Sequence, residues 1–179
     1  EGLASHRGSS FGNLGLPAQP TSEHYENMLA ERLENLHQNG ATEIWLEAES
    51  IQVGRCRIPK GLFDQMRKAP VLEIQRSDRE RVERLVQVYS SHGKADLREA
   101  TERIRKRLGP QRTRQALEAI DSENWDLACL AMLDYYDSCY DRELARSPAR
   151  ATVNLEGLDT SQSARLLLEK GHIAPRICN

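Results

Sequence analysis

Three short apolar runs constrain the fold of this chain most strongly. They occupy residues 44–46, 71–74 and 151–155, and each has the length of a short buried strand. A short helical pattern follows Pro59, between the first two runs, and longer helical patterns follow the second and the third. Alternating strands and helices predict a parallel sheet with right-handed crossovers, so we expect the α/β fold class.

Capping residues mark where several of these helices begin and end. Thr21 or Ser22 precedes an apolar stripe that Gly40 ends, and Ser77 with Glu80 forms a capping box before the helix that follows the second strand. Residues 96–144 carry helical stripes throughout. We therefore predict an α/β core in residues 1–94, a lid-like helical insertion in 95–147, and a closing strand and helix of the core in 148–179.

The first twelve residues combine glycines with polar side chains. His6, Arg7, Ser9 and Ser10 lie among three glycines, which permit tight turns and close approach of a ligand to the backbone. The Arg fork and the hydroxyl groups are suitable donors to a phosphate or diphosphate. This composition indicates an anion-binding loop, and a polar surface turn is the alternative.

Two carboxylates follow the first predicted strand. Glu47 and Glu49 alternate along an extended chain, so their side chains face the same side. Such a pair could hold Mg²⁺ through water or act as a general base. The alternative is a solvated strand end, with Ser50 capping the next element.

The segment 103–114 is strongly basic, although the formal net charge of the chain is −2. Several Arg and Lys side chains in one segment favour contacts with nucleic-acid phosphates. The net charge argues against a uniformly basic nucleic-acid binder but leaves a local basic face possible. A solvated helix face is the alternative. The tyrosines of residues 135–140 are interpreted as core packing, with base stacking as the alternative.

Other chemistries find little support in the sequence. The cysteines Cys56, Cys129, Cys139 and Cys178 form no C-x-x-C pair and have no zinc-finger spacing, so we expect free thiols in a reducing cytoplasm. No apolar run approaches membrane-spanning length, and no signal peptide opens the chain, so no membrane partner is expected. The phosphate-binding motif G-x-x-x-x-G-K-[S/T] is also missing.

Four motifs, in order, resemble the bacterial tRNA 2-selenouridine synthases. They are Gly2-Leu3-Ala4-x-His6-Arg7-Gly8-Ser9-x-Phe11-Gly12, Glu47-x-Glu49-Ser50-x-x-x-Gly54, Arg105-Lys106-Arg107-Leu108-Gly109-x-Gln111-Arg112 and Tyr135-Tyr136-Asp137-x-x-Tyr140. This resemblance implies a P-loop-kinase-like three-layer core and a transferase acting on 2-thiouridine at the tRNA wobble position. The family geranylates the sulfur with geranyl diphosphate and then replaces it with selenium from selenophosphate.

The resemblance also implies missing parts. In this family a P-loop lies just upstream of the His-Arg-Gly-Ser motif, preceded by a rhodanese-like domain with a catalytic Cys. The chain begins without Met within a few residues of that motif, so we expect an N-terminally truncated fragment that lacks a central strand. The family has an Asp between the two Glu, where this chain has Ala48, which puts a Walker-B-type metal role in question.

The expected roles follow from the motifs. We expect the diphosphate or the modified base to be bound by His6, Arg7, Ser9 and Ser10. Glu47 and Glu49 are expected to transfer a proton or bind a metal. The tRNA phosphates are expected to be bound by Arg105, Lys106, Arg107 and Arg112. The N-terminal loop and the acidic pair are expected to form one anion pocket. Two alternatives are open: a non-catalytic tRNA-docking module, and a fragment of a small-molecule P-loop kinase.

Overall fold

The computed structural model describes residues 1–147 and 149–171 as a mixed α/β fold that is mostly helical. The helices are α1 (Ser22–Gln38), α2 (Lys60–Met66), α3 (Asp78–Tyr89), α4 (Lys94–Arg103), α5 (Arg105–Leu108), α6 (Pro110–Asp121), α7 (Trp125–Leu144) and α8 (Thr160–Gly171). The strands are β1 (Gln52–Val53), β2 (Cys56–Arg57), β3 (Val71–Gln75) and β4 (Arg150–Asn154). Cys178 and the tail from His172 lie outside the described residues.

The predicted parallel sheet is confirmed for the second and third apolar runs, which form its two strands in the described chain. β3 and β4 are parallel, in a register that runs from Val71 opposite Arg150 to Gln75 opposite Asn154. The Ser77 hydroxyl accepts from the Glu80 backbone N–H (3.5 Å) and caps α3. The Glu80 carboxylate does not return to Ser77 but accepts from Arg76 and from the Gly157 backbone N–H. It thereby joins α3 to the turn after β4.

The prediction of a buried strand at residues 44–46 was wrong. The segment has no strand structure, and Ile44, Trp45 and Leu46 are 40%, 46% and 44% exposed. A strand forms where a neighbour takes up its backbone N–H and C=O groups. Within the described chain, β3 and β4 pair only with each other, so this run has no neighbour to join. Glu47 and Glu49 therefore extend from an irregular segment rather than from a strand end.

A short hairpin follows this segment and was not predicted from the sequence. β1 and β2 pair antiparallel across Gly54, whose φ of +62° suits glycine in a tight turn. Two residues per strand are too few to show a period, so only the turn at Gly54 could be expected.

Two hydrophobic cores organise the chain. The helical core joins α4–α7, and its buried side chains are those of Phe11, Leu97, Ala100, Ile104, Leu108, Ala119, Ile120 and Ala128. The N-terminal core joins α1, the hairpin and the first residues, and it contains Ala4, Tyr25, Leu29, Val53, Cys56 and Ile58. The N-terminal loop (residues 5–16) runs from one core to the other, because Ala4 belongs to the N-terminal core and Phe11 to the helical core.

No described helix is long and apolar enough to span a membrane. Cys56, Cys129 and Cys139 are free thiols, as predicted. Tyr135 and Tyr136 pack against the helical core, which confirms the core-packing interpretation for these two rings. Tyr140 is exposed.

Candidate functional site

The N-terminal loop folds back on itself through its own backbone. The Arg7 N–H donates to Gly12 O (2.9 Å), and the Gly12 N–H donates to Ser9 O (2.9 Å). Ser5 and Gly8 adopt positive φ values of 47° and 70°. Such turns bring residues 6–12 into one compact knot rather than an extended strand.

His6 is the most buried charged or polar side chain of this loop. It is 9% exposed, and its ring is wedged between two glycines. A Cβ at Gly12 would lie 2.7 Å from His6 Cε1, and one at Gly54 would lie 2.7 Å from His6 Cδ2. His6 Nδ1 accepts from the Gly8 backbone N–H (3.1 Å), so a neutral His6 carries its proton on Nε2.

The surroundings of His6 favour this neutral form. Burial lowers the pKa of His6 below its ordinary value of 6.5, and the positive charge of Arg103 lowers it further, whereas Glu49 acts in the opposite direction. The neutral ring can offer its Nε2–H as a hydrogen-bond donor near neutral pH.

Three other polar residues of the loop mainly hold it in place. The Arg7 guanidinium donates to Leu14 O (2.9 Å) and lies 5.7 Å from the centre of the Tyr89 ring. Ser10 Oγ donates to Ala100 O (2.7 Å) and so ties the loop to α4. Ser9 Oγ accepts from the Phe11 N–H (3.2 Å).

The acidic pair lies against one side of the loop. A Cβ at Gly8 would be 2.6 Å from Glu49 Oε1, so the carboxylate packs directly on this glycine. Glu47 Oε2 accepts from the Glu1 backbone nitrogen (2.7 Å). Burial, a hydrogen bond with Glu49 and the charges of both carboxylates raise the pKa of the Glu1 carboxyl to about 7. Because three carboxyl groups meet there, this side of the loop attracts cations or protons and repels anions.

Across residues 1–147 and 149–171, no group of at least three His, Cys, Asp or Glu side chains is placed to hold a metal ion. Glu47 and Glu49, as carboxylates, can accept or release a proton.

The loop also borders a cavity of about 750 Å³, which we call the loop cavity. It is lined by His6, Gly8, Ser9, Ser10, Asn13, Leu16, Pro17, Ala18, Gln19, Gln52, Gly54, Arg55, Arg103, Ile104 and Arg107. Both cores contribute to these walls, and Arg7 lies outside them. None of the described residues that line the cavity is acidic, whereas three are arginines.

The sequence assignments missed Arg55 and Arg103, whereas Arg107 was assigned to tRNA. Arg103 lies four residues before Arg107, and this helical spacing could have indicated that both side chains share one face. Arg55 belongs to the turn between β1 and β2, and no local pattern in the sequence connects it with the loop.

The basic segment does not form a single surface. Arg107 faces the loop cavity, whereas Arg105 and Lys106 line a separate groove of about 610 Å³ between α4 and α6, the helical groove. Three carboxylates, Glu102, Glu118 and Asp121, also line the helical groove. Arg105 pairs with Glu102 (3.4 Å), and Arg112 pairs with Asp134 (3.5 Å). The four residues assigned to tRNA are therefore divided among different faces.

Comparisons with known proteins agree on one family. The family model described as "tRNA 2-selenouridine synthase AAA domain" matches residues 1–162. The chain is 33% identical to a tRNA 2-selenouridine synthase of Marinobacter nauticus over 86% of its own length and 49% of the relative's. It is 32% identical to the Sulfurovum sp. protein of that name (84% and 49%) and 28% identical to that of Pseudomonas entomophila (96% and 54%). The chain spans about half the length of these relatives. No solved structure matches.

Proposed function

Because the chain belongs to the tRNA 2-selenouridine synthase family, we propose that it is part of a cytoplasmic transferase that modifies the wobble uridine of tRNA. In this proposal the enzyme geranylates 2-thiouridine with geranyl diphosphate and then exchanges sulfur for selenium from selenophosphate. The activity is proposed for the whole protein, since the chain covers about half of its relatives.

The observation that carries this proposal is the loop cavity. Geranyl transfer forms a bond from the uridine sulfur to the first geranyl carbon and breaks the bond from that carbon to the diphosphate oxygen. Negative charge then develops on the departing diphosphate, and nearby cations stabilise it. The cavity brings three cationic arginine side chains together with neutral hydrogen-bond donors from His6 and Ser9. Arg7 and Ser10 support this site by fixing the loop.

The acidic side of the loop suits the proton that this reaction releases. The base loses its N3 proton when its sulfur is alkylated, and a carboxylate can accept that proton. We assign this role to Glu47 and Glu49, and the Glu49 carboxylate packs on Gly8, which lines the cavity.

The tRNA itself would contact the outer surface of the helical unit. Arg105, Lys106 and Arg112 are exposed, and the proposal keeps them as contacts to tRNA phosphates. Among the described residues, Arg105 and Arg112 already pair with carboxylates, so Lys106 is expected to contribute most of the electrostatic affinity for tRNA phosphates.

Other segments of the same protein would complete the fold. Parallel sheets are usually buried on both faces, yet Ile74 in β3 is 53% exposed and residues 44–46 have no strand partner in the described chain. We propose that upstream P-loop and rhodanese-like segments supply the missing strand and a sulfur-handling Cys, giving a P-loop-kinase-like three-layer core.

The test compares the full-length protein with residues 1–179. Each is supplied with geranyl diphosphate and with tRNA that either carries or lacks 2-thiouridine, and the nucleosides are analysed by mass spectrometry. Geranylated product from the full-length protein on thiolated tRNA alone supports the proposal. Product from residues 1–179 would locate a self-sufficient site here, and binding without product would favour the docking module. A full-length protein that makes no product, or that phosphorylates a small molecule with ATP, would refute the proposal.

A further inference from the structure

We infer that the loop cavity is a diphosphate site in which Arg55, Arg103 and Arg107 are the cationic ligands and His6 is a neutral hydrogen-bond donor. The inference rests on the proposed function for the identity of the ligand as a reaction substrate. The ability to bind a diphosphate rests on the cavity alone. It assigns Arg107 to a small molecule rather than to the tRNA backbone.

Arg103 and Arg107 present an uncompensated pair of charges. Arg103 ends α4 and Arg107 lies in α5, and across the interruption at Ile104 both side chains line the same cavity. Within the described chain neither forms an ion pair, in contrast to Arg98, Arg105 and Arg112 nearby. Like charges one helical turn apart destabilise each other, and a bound anion removes that cost.

Arg55 reaches the same cavity from the N-terminal core. Its backbone N–H donates to Gln19 Oε1 (3.0 Å), and its guanidinium donates to Gln19 O. Gln19 is itself fixed, because its Nε2 donates to Ala4 O (2.9 Å) and Val53 O (3.0 Å). The cavity therefore receives one arginine from the β1–β2 turn and two from α4 and α5, and several guanidinium groups together can donate to the oxygens of one diphosphate.

The remaining walls fit a diphosphate ester better than a bare ion. His6 offers Nε2–H from a ring that two glycines and the Gly8 hydrogen bond hold in place. Leu16, Pro17 and Ala18 form an apolar wall on the same cavity. An apolar chain attached to the diphosphate can lie along this wall while the charged end meets the arginines.

The binding experiment uses inorganic pyrophosphate and residues 1–179, titrated calorimetrically without tRNA. The wild-type chain should bind, and Arg103→Gln or Arg107→Gln should each weaken binding by about tenfold, since each removes a charge-assisted contact. Arg105→Gln is the matched control, because it lies in the same turn but lines the helical groove. Its affinity should stay within about twofold. Far-UV circular dichroism checks that each variant is folded.

Several outcomes would overturn the inference. They are no binding by the folded wild-type chain, equal losses in Arg105→Gln and Arg107→Gln, or no loss in Arg107→Gln. Should Arg107→Gln not fold, Arg103→Gln carries the test, and an affinity within about twofold of wild type would overturn the inference. Pyrophosphate binding with no tRNA product from the full-length protein would refute only the proposed function. Product formation without pyrophosphate binding would refute only this inference.

Discussion

The wedging of His6 between two glycines makes a quantitative prediction for Gly12→Ala. The new Cβ would lie 2.7 Å from His6 Cε1 and 2.8 Å from His6 Nδ1, closer than packed atoms tolerate. Overpacking of this kind costs about 1–3 kcal/mol. Alanine also lowers the conformational entropy of the unfolded chain, which offsets this loss by about 0.4–1 kcal/mol. We expect a net loss of about 1–2 kcal/mol in the free energy of unfolding, or about 2–8 °C in the thermal midpoint.

A matched glycine and a double-mutant cycle isolate the cause. Gly61→Ala in α2 meets no atom within 4 Å, so it should be neutral or stabilising by up to about 1 kcal/mol. In a His6→Ala background the two ring contacts disappear, and the contact with the Arg7 backbone nitrogen (2.9 Å) stays. Gly12→Ala should then cost at least about 1 kcal/mol less. Urea unfolding of the four chains gives the cycle, and strictly additive losses would show that the ring is not wedged.

Three further predictions concern the same elements. Phe11→Ala should cost about 3–5 kcal/mol in urea unfolding, because Phe11 is buried in the helical core, and a loss under about 1 kcal/mol would contradict that anchoring. Trp45→Ala should cost less than about 1 kcal/mol in the free energy of unfolding, since the side chain is half-exposed. A loss of about 3–5 kcal/mol would instead support a buried strand at residues 44–46. Burial lowers the pKa of His6 in the folded protein, so as the pH falls the unfolded chain takes up this proton at a higher pH than the folded chain. The contribution of neutral His6 to the free energy of unfolding is therefore complete above pH 6.5 and declines below it. Unfolding free energies at about pH 7.5 and 5.5 should therefore differ more in the wild type than in His6→Gln, and equal differences would argue against a lowered pKa.

The helices and the parallel pair could be predicted because their signals are local. Thr21 and Ser77 are strong N-caps, and both cap helices in the structure through their side-chain oxygens. The apolar run of β3 lies beside that of β4, as the alternation of strands and helices requires. The apolar run at residues 44–46 has the same local character, yet a strand also needs a partner. Whether residues 44–46 form a strand depends on whether a neighbouring strand is present, and no local sequence pattern encodes that.

The candidate site could be predicted only in part for the same reason. The sequence indicated that residues 6–10 and the Glu47–Glu49 pair would come together, and Glu49 does pack on Gly8. It gave no means of knowing that Arg55, Arg103 and Arg107 would line a cavity beside this loop. That arrangement depends on Phe11 entering the helical core, which carries Arg103 and Arg107 to the loop.

This separation of charge bears directly on the proposed reaction. A single pocket holding both carboxylates and the diphosphate would place like charges together and weaken both functions. Here the Glu49 carboxylate packs on Gly8, no carboxylate of the described chain lines the cavity beside the arginines, and His6 feels the charges of both Glu49 and Arg103. The pKa of His6 reflects this position, since burial and Arg103 lower it while Glu49 raises it. A thiouridine bound at this boundary could lose its proton toward the acidic side while the diphosphate departs toward the basic side. The glycines that hold the ring in place are therefore as important to the proposal as the charged residues.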